Sequence, residues 1–363
     1  MFEVEMLPAR EGDCLWIRYG SPTAPHQILI DTGRAATYKA LRDRLIKLPP
    51  KQRTFELFVI THVDRDHIEG AMALLEDKNL PIKFNQIWFN GYDHLVSARD
   101  QNKKLKVEEF GAVQGERVTS ALLKKQKHAW NRWWKRKPVV LQGDGLPRPT
   151  LPGGMKLTVL SPDRQKLVAL IPDWEKECRA AGMVPGAKAR ADETLHGIEV
   201  FGPPNVEKLA TTPFKADTTR PNGTCIVLLA EYKMKRALLG ADSHADRLIA
   251  SLKKLQEGKQ RIPIDLFKVS HHGSDRNVSK ELIELIDCPL YLFSTNGSYS
   301  HHPAAAAIAR ILKFAGTDVT IAFNYHSEFT DKWDEPALKT TYHYRTVYPD
   351  KKSNGTLTVP LAK

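Results

Sequence analysis

Short apolar runs closed by Gly, Pro or Asp recur at both ends of the chain and thin out in its middle. Residues 2–7 alternate and predict a strand, and residues 8–13 read as a turn. Residues 14–19 and 27–30 predict two more strands, so the opening reads as an antiparallel meander with acidic turns at Asp13 and at Asp31-Thr32-Gly33. Residues 36–48 carry apolar positions at helical spacing until Pro49-Pro50 stops them. The run Phe58-Val59-Ile60 predicts a buried strand, and residues 70–76 the start of a helix. Residues 86–90 predict another strand. Strand patterns return at residues 157–160, 224–230, 236–242, 264–269, 290–293, 319–323 and 355–359. Helices are expected between them over residues 243–257, 279–286 and 304–314. Between residues 91 and 219 the pattern changes. Residues 92–141 are polar, basic and helical in composition, and residues 163–218 read as helix followed by loop. That span reads as an insertion on a scaffold of about residues 1–90 and 220–363, within a single domain over 1–363.

Chemistry enters where the apolar run at 58–60 stops. It ends in Thr61-His62-Val63-Asp64-Arg65-Asp66-His67, two histidines and two carboxylates on a strand-end loop. Groups packed so closely repel or protonate unless a cation sits among them. Imidazole with carboxylate suits zinc, manganese or iron. Three further strands end in groups able to hold metal: at Asp242, at His271 and His272, and over residues 296–302. Strand ends that meet on one sheet edge build a site from distant sequence. His26, His94 and His128 are expected at the surface, and His244 on the helix after Asp242.

Composition adds a weaker signal. The 363 residues carry a formal net charge of +12, which favours an anionic partner, nucleic acid first. The four cysteines (Cys14, Cys178, Cys225, Cys288) are scattered, without a Cys-x-x-Cys pair. No signal peptide and no membrane-length apolar run is evident, so a reducing, cytoplasmic setting is expected.

Taken together, His62-Val63-Asp64-Arg65-Asp66-His67, Leu238-Leu239-Gly240-Ala241-Asp242, Lys268-Val269-Ser270-His271-His272-Gly273-Ser274 and His302-Pro303 resemble the metallo-β-lactamase superfamily. Within it they look most like the metal-dependent nuclease domain of ComEC-type DNA-uptake proteins and their stand-alone soluble relatives. Gly12-Asp13 and Asp31-Thr32-Gly33 fit the early turns of that branch. The likeness covers roughly residues 1–90 and 220–320. It implies an α/β fold, a four-layer αβ/βα sandwich, here with a helical basic insertion.

It also implies two divalent metal ions, zinc or manganese. His62 and Asp64 would hold one, and Asp66 and His67 the other. Asp242 would bridge them, and His272, favoured over His271, would complete the second site. A metal-bridging hydroxide would attack phosphorus, Asp66 would orient it or take its proton, and His271 or His302 would protonate the leaving oxygen. Two departures matter. Asp64 stands where most of the superfamily has His, as in the ComEC-like branch, and a harder site leans toward manganese. The usual mid-chain ligand His is missing, and Asn222 stands in its place, either as a neutral oxygen donor or as a turn residue.

For substrate, residues 124–137 interleave Trp130, Trp133 and Trp134 with cations. Lys127, Trp130, Arg132 and Trp134 are candidates for a nucleic-acid platform. The alternative is a helix that docks its Trp face on the body. Three functions follow in order: a phosphodiesterase or nuclease acting on DNA or RNA, a hydrolase of a small cyclic or signalling nucleotide, and a non-catalytic sensor or subunit on the same scaffold.

Overall fold

The computed structural model describes residues 1–99, 112–183, 204–258, 260–316, 318–350 and 353–362. In chain order the principal strands are β1 (Phe2–Met6), β2 (Leu15–Ser21), β3 (Ala24–Ile30), β4 (Leu57–Val59), β5 (Ile87–Trp88), β6 (Lys156–Ser161), β7 (Val227–Tyr232), β8 (Lys235–Leu239), β9 (Leu266–Lys268), β10 (Leu290–Phe293), β11 (Val319–Phe323), β12 (Tyr344–Val347) and β13 (Leu357–Ala362). One sheet runs β13-β1-β2-β3-β4-β5 and the other β12-β11-β10-β9-β8-β7-β6. The first is antiparallel from β13 to β3 and parallel from β3 to β5. The second is parallel from β12 to β8 and antiparallel from β8 to β6.

Side-chain alternation turns these sheets into four layers. Leu57 and Val59 of β4 join Ile17, Ile28 and Trp88 in a core shared with Leu228, Leu239, Leu266 and Leu292 of the facing sheet. Phe58, between them, points the other way, toward Leu41, Ile68 and Leu74 of the helices Tyr38–Ile46 and Arg65–Glu76. On the second sheet Phe267, Tyr291 and Phe293 point out to Leu248, Leu282 and Ile308 of the helices Ala245–Lys253, Lys280–Leu285 and Ala305–Phe314. A strand covered on both faces must be apolar throughout, which is why residues 58–60 show no alternation. Each such buried Leu or Phe stabilises the fold by about 1.5–3 kcal/mol. Helix, sheet, sheet, helix is the αβ/βα sandwich expected.

Two expectations change. The span 91–219 supplies structure to the body as well as additions to it. β6 is the edge strand of the second sheet, and Trp134, Val139, Leu141, Leu151 and Met155 lie in the inter-sheet core. The basic tract is also not a helix. From Lys127 to Lys137 it is a chain of turns, with Asn131, Lys135 and Arg136 at φ of 45°, 54° and 63°. It closes the open edge of β5, where Ile87 N–H donates to Ala129 O (3.0 Å) and Asn131 N–H to Ile87 O (2.8 Å). Edge strands left open invite wrong pairing, and this tract covers one.

Trp130 and Trp134 are buried, so neither ring is open to a base. Trp130 Nε1 donates to Phe89 O (3.0 Å), and Trp134 packs edge-on to Trp88. Docking on the body thus replaces the platform for these two, while Lys127 and Arg132 stay exposed. His94 is buried rather than at the surface, edge-on to Trp130, and His26 is half-buried against Glu56 (2.7 Å). Among the described residues no helix is long and apolar enough to cross a membrane.

Candidate metal centre

The ends of β3, β4, β8, β9 and β10 bring Asp31, His62, Asp242, His271, His272 and Ser294 to one edge of the sandwich. Carboxyl ends of parallel strands are where open α/β sheets bind ligands. The helix Arg65–Glu76 begins at Arg65, ahead of the expected Gly70, and its first turn carries Asp66 and His67. Asp64 is its N-cap residue but makes no side-chain cap bond. Its carboxylate instead lies 3.5 Å from His62 Nε2.

Hydrogen-bond partners determine how the histidines face. His67 Nδ1 lies 2.8 Å from Asp31 Oδ2, an acceptor, so Nδ1 carries the proton. His272 Nδ1 lies 2.8 Å from the Ser294 carbonyl, with the same consequence. Thr61 Oγ1 donates to Asp31 Oδ2 (2.7 Å), so it must accept from His62 Nδ1 (3.0 Å). In the neutral ring, each Nε2 is then a bare lone pair. Those of His67 and His272 face each other at 3.2 Å, and that of His62 is buried with no partner. Asp242 Oδ1, 3.3 Å from His67 Nε2, is also unpartnered. Lone pairs and carboxylate oxygens converging in a buried space need a cation among them. The 3.2 Å separation matches the roughly 3.3 Å expected between two imidazole nitrogens on one tetrahedral ion at about 2.0–2.1 Å. The donor set fits divalent metal.

The protonation equilibria respond to the same crowding. Burial alone would lower His67 and His272. The carboxylates of Asp242, Asp66 and Asp31 around the first, and of Asp242 and Asp13 around the second, lift both well above the ordinary imidazole value. Burial would raise Asp242, but His272, His67 and His271 hold it well below the usual carboxylate range. Asp13, His67, Asp242 and His272 bring their ligand atoms within 4.8 Å of one another. Asp13 sits on the Nδ1 side of His272 (3.4 Å), behind the ring, and pairs with the fully buried Lys268 at 2.5 Å. From there it is placed to steady the His272 ring.

The structure therefore gathers His62, Asp64, Asp66, His67, Asp242, His271 and His272. Asp66 Oδ2 lies 3.3 Å from His272 Nε2. His302 stands edge-on to His271 with ring centres 5.3 Å apart. Burial, with the charges of His271 and His272, pushes its pKa down to about 3 in the metal-free centre. Asn222 lies at the centre's edge, its Nδ2 donating to Asp217 Oδ2 at 2.6 Å. Lys127, Trp130, Arg132 and Trp134 are absent from the lining of the cavity above the centre.

Sequence reasoning missed Lys268, Asp217, Asn277 and Ser294. Only Lys268 leaves a trace in the sequence: a cation inside the apolar run 266–269 demands a buried partner. Gly12 presses the Asp13 turn against Asp66, and a Cβ there would lie 1.8 Å from the Asp66 carbonyl oxygen.

No protein-family model and no curated protein matches the chain. Among solved structures, a mutant of the CmlA β-hydroxylase aligns with 99% of the chain at 11% identity and a TM-score of 0.43. The diiron β-hydroxylase CmlA from Streptomyces venezuelae aligns with 99% at 11% identity and a TM-score of 0.41. The chain spans about half, 54%, of each of these. The metallo-β-lactamase fold protein YhfI from Bacillus subtilis aligns over 99% of both chains at 10% identity and a TM-score of 0.39. Likenesses this distant carry nothing about substrate or metal. The strand order and the donor geometry define a four-layer αβ/βα sandwich with a buried cluster able to hold metal.

Proposed function

We propose that the chain is a two-metal phosphodiesterase acting on nucleic acid. The observation that carries this reading is the convergence of three Nε2 lone pairs with Asp242 beneath a cavity of about 260 Å³. His62 and Asp64 would hold one zinc or manganese ion, and Asp66, His67 and His272 the other, with Asp242 between them. Such a pair acidifies water and neutralises charge developing on a phosphoryl group.

The chain's own residues supply the rest. Arg34 and Arg65 line the cavity, and Arg34 is clamped by Glu11 at 2.7 Å. Guanidinium groups at a mouth draw in and orient phosphate oxygens. Asp66, 21% exposed, faces the same space and is placed to orient water or take its proton. The net charge of +12 favours a polyanion. Four buried free thiols fit a reducing, cytoplasmic setting.

A second reading, a small cyclic or signalling nucleotide, is favoured by the cavity itself. Tyr299 lines it beside Arg34, whose guanidinium lies 5.7 Å from the ring centre, offering one aromatic face to one base. The set of His62, Asp64, Asp66, His67, Asp242 and His272 weighs against a non-catalytic subunit, and the missing mid-chain His weighs mildly for one.

The test is hydrolysis of bis(p-nitrophenyl) phosphate, single- and double-stranded DNA, RNA and cyclic dinucleotides, with each divalent metal in turn. Manganese- or zinc-dependent cleavage that disappears in Asp66→Ala is expected. No cleavage with any metal, or equal rates in Asp66→Ala, overturns the reading. Cleavage confined to cyclic dinucleotides would select the second one.

A further inference from the structure

We propose that His271 is the third donor of the first metal site besides the shared Asp242, held there by Asp217, Asn222 and Asn277. This rests on the metal-centre reading above and deepens it. The half-site built on His62 and Asp64 has only those two donors besides the shared Asp242. The other half-site has three, Asp66, His67 and His272, besides that same carboxylate.

His271 repeats the pattern of the other three histidines. Its Nδ1 lies 2.9 Å from Asn277 Oδ1 and 3.5 Å from Asp217 Oδ2, both acceptors. Nδ1 therefore carries the proton, and Nε2 is left bare. That Nε2 lies 3.7 Å from Asp242 Oδ2, the oxygen that His272 Nε2 approaches at 3.5 Å. Asp242 Oδ1 faces His67 instead, at 3.3 Å. His67 and His272 already share one point, with their Nε2 atoms 3.2 Å apart. His271 makes no such contact with either. Its ring centre lies 6.0 Å from that of His272, and the two rings stand edge to face. With His67 and His272 already paired, His271 is left for the remaining half, and it lines the same cavity as Asp64.

The backbone and the surrounding shell are built for this. His271 and His272 sit consecutively in the left-handed region, at φ of 50° and 52°. Such a conformation is costly outside glycine and persists where the surroundings enforce it. Here it brings two adjacent rings to one cluster.

Behind His271 lies a buried network. Asp217 accepts from Thr219 N–H (2.9 Å), Thr219 Oγ1 (2.7 Å), Asn222 Nδ2 (2.6 Å) and Asn277 Nδ2 (3.0 Å). Asn277 Nδ2 also donates to the carbonyls of Asp242 and Ser243. His271 and the bridging Asp242 are therefore fixed to one scaffold. Asn222 turns its Nδ2 to Asp217 (2.6 Å) and to the Nδ1 side of His271 (3.3 Å), which makes it a positioning residue here, while its Oδ1 is buried without a hydrogen-bond partner and is the rival donor.

The test is metal binding, independent of any substrate. Full-length protein is stripped with chelator and titrated with Mn²⁺, Zn²⁺ and Co²⁺ by calorimetry, and metal content is measured after desalting. The wild type should bind two ions. His271→Gln should keep one at unchanged affinity and lose the other from the measurable range, with the Co²⁺ visible spectrum changed. Asn277→Ala should weaken the affected ion by about 10–100-fold and the other, through the shared Asp242, by less. Circular dichroism on each variant separates loss of metal from loss of fold, and Asn277→Ala carries the test if His271→Gln does not fold.

Two ions bound by His271→Gln at wild-type affinities overturn the inference and leave the metal centre standing. So does loss of an ion from Asn222→Ala with none lost from His271→Gln, since Asn222 would then be the donor. A wild type that binds no ion sinks the metal-centre reading and this inference with it.

Discussion

Asp31 shows how much of the centre depends on residues that touch no metal. Its carboxylate accepts from Thr61 N–H (2.8 Å), Thr61 Oγ1 (2.7 Å) and His67 Nδ1 (2.8 Å). One carboxylate thus sets the tautomer of His67 directly and that of His62 through Thr61. Asp31 itself sits at φ 54°, a conformation that Asn adopts readily. Asp31→Asn should therefore preserve the turn while placing an amide N–H where an acceptor is needed. Metal affinity should fall by about 10–100-fold with the melting curve of the stripped protein little changed. Competition against a chromophoric chelator measures the first quantity and thermal denaturation the second. An unchanged affinity would show that the tautomers are set elsewhere. The residues that open the candidate centre were legible because they follow an apolar run within six positions, His62 to His67. Their supports were not. Lys268 and Asp13 are 255 positions apart, and Asp217 and Asn277 are 60 apart. No local spacing encodes such pairs; only the folded sheets bring them together.

At the scale of elements, the strands were read well because each is a short apolar run between turn residues. The tract 124–137 was misread for a physical reason. Trp at spacings of three and four fits a helical face, but positive φ at Asn131, Lys135 and Arg136 breaks any helix there. Backbone pairing with β5 outweighs the weak propensity of a Lys- and Trp-rich sequence. The same packing buries His94, whose Nδ1 accepts from Gly91 N–H (3.3 Å) while Nε2 faces the Arg136 carbonyl (3.2 Å). Desolvation, only partly offset by that carbonyl, pushes its pKa down to about 4. The unfolded imidazole, near 6.5, takes a proton first as the solution is acidified. The contribution of a neutral His94 is therefore intact above that value and is lost as pH falls toward 4, by about 3 kcal/mol at most. Melting temperature should drop across this interval in the wild type and less steeply in His94→Gln, with metal present or absent. Parallel slopes in the two proteins would assign the acid sensitivity to other groups.

For the whole molecule, the centre joins two sheets that also meet through their apolar faces and through polar links such as Ile226 N–H to Thr61 O (3.0 Å). The chain's ends are joined as well, with β13 paired to β1, so the fold closes only once both termini are in place. Sequence order showed neither that closure nor that β6 belongs to the second sheet, because the resemblance stops near residue 320 and the apolar run at 157–160 sits among loops and polar helices. His62, Asp64, Asp66 and His67 come from the first sheet's edge, and Asp242, His271 and His272 from the second's. A metal held by both halves binds the folded chain and finds no preformed site in the unfolded one. At a hundredfold excess over its dissociation constant, each ion should stabilise the fold by about 2.7 kcal/mol. Without metal, protons are what is left to separate the lone pairs. The folded His67 and His272 are raised well above 6.5, so their contribution is complete below that value and is lost as pH rises through their folded-state pKa values. Stability of the stripped protein should therefore decline as pH climbs above neutrality. The metal-loaded protein should hold, since deprotonated imidazole is what the ion requires. The gap in melting temperature between loaded and chelator-treated protein should widen with pH. A gap that is constant or shrinks would mean that the two edges are not joined through these histidines.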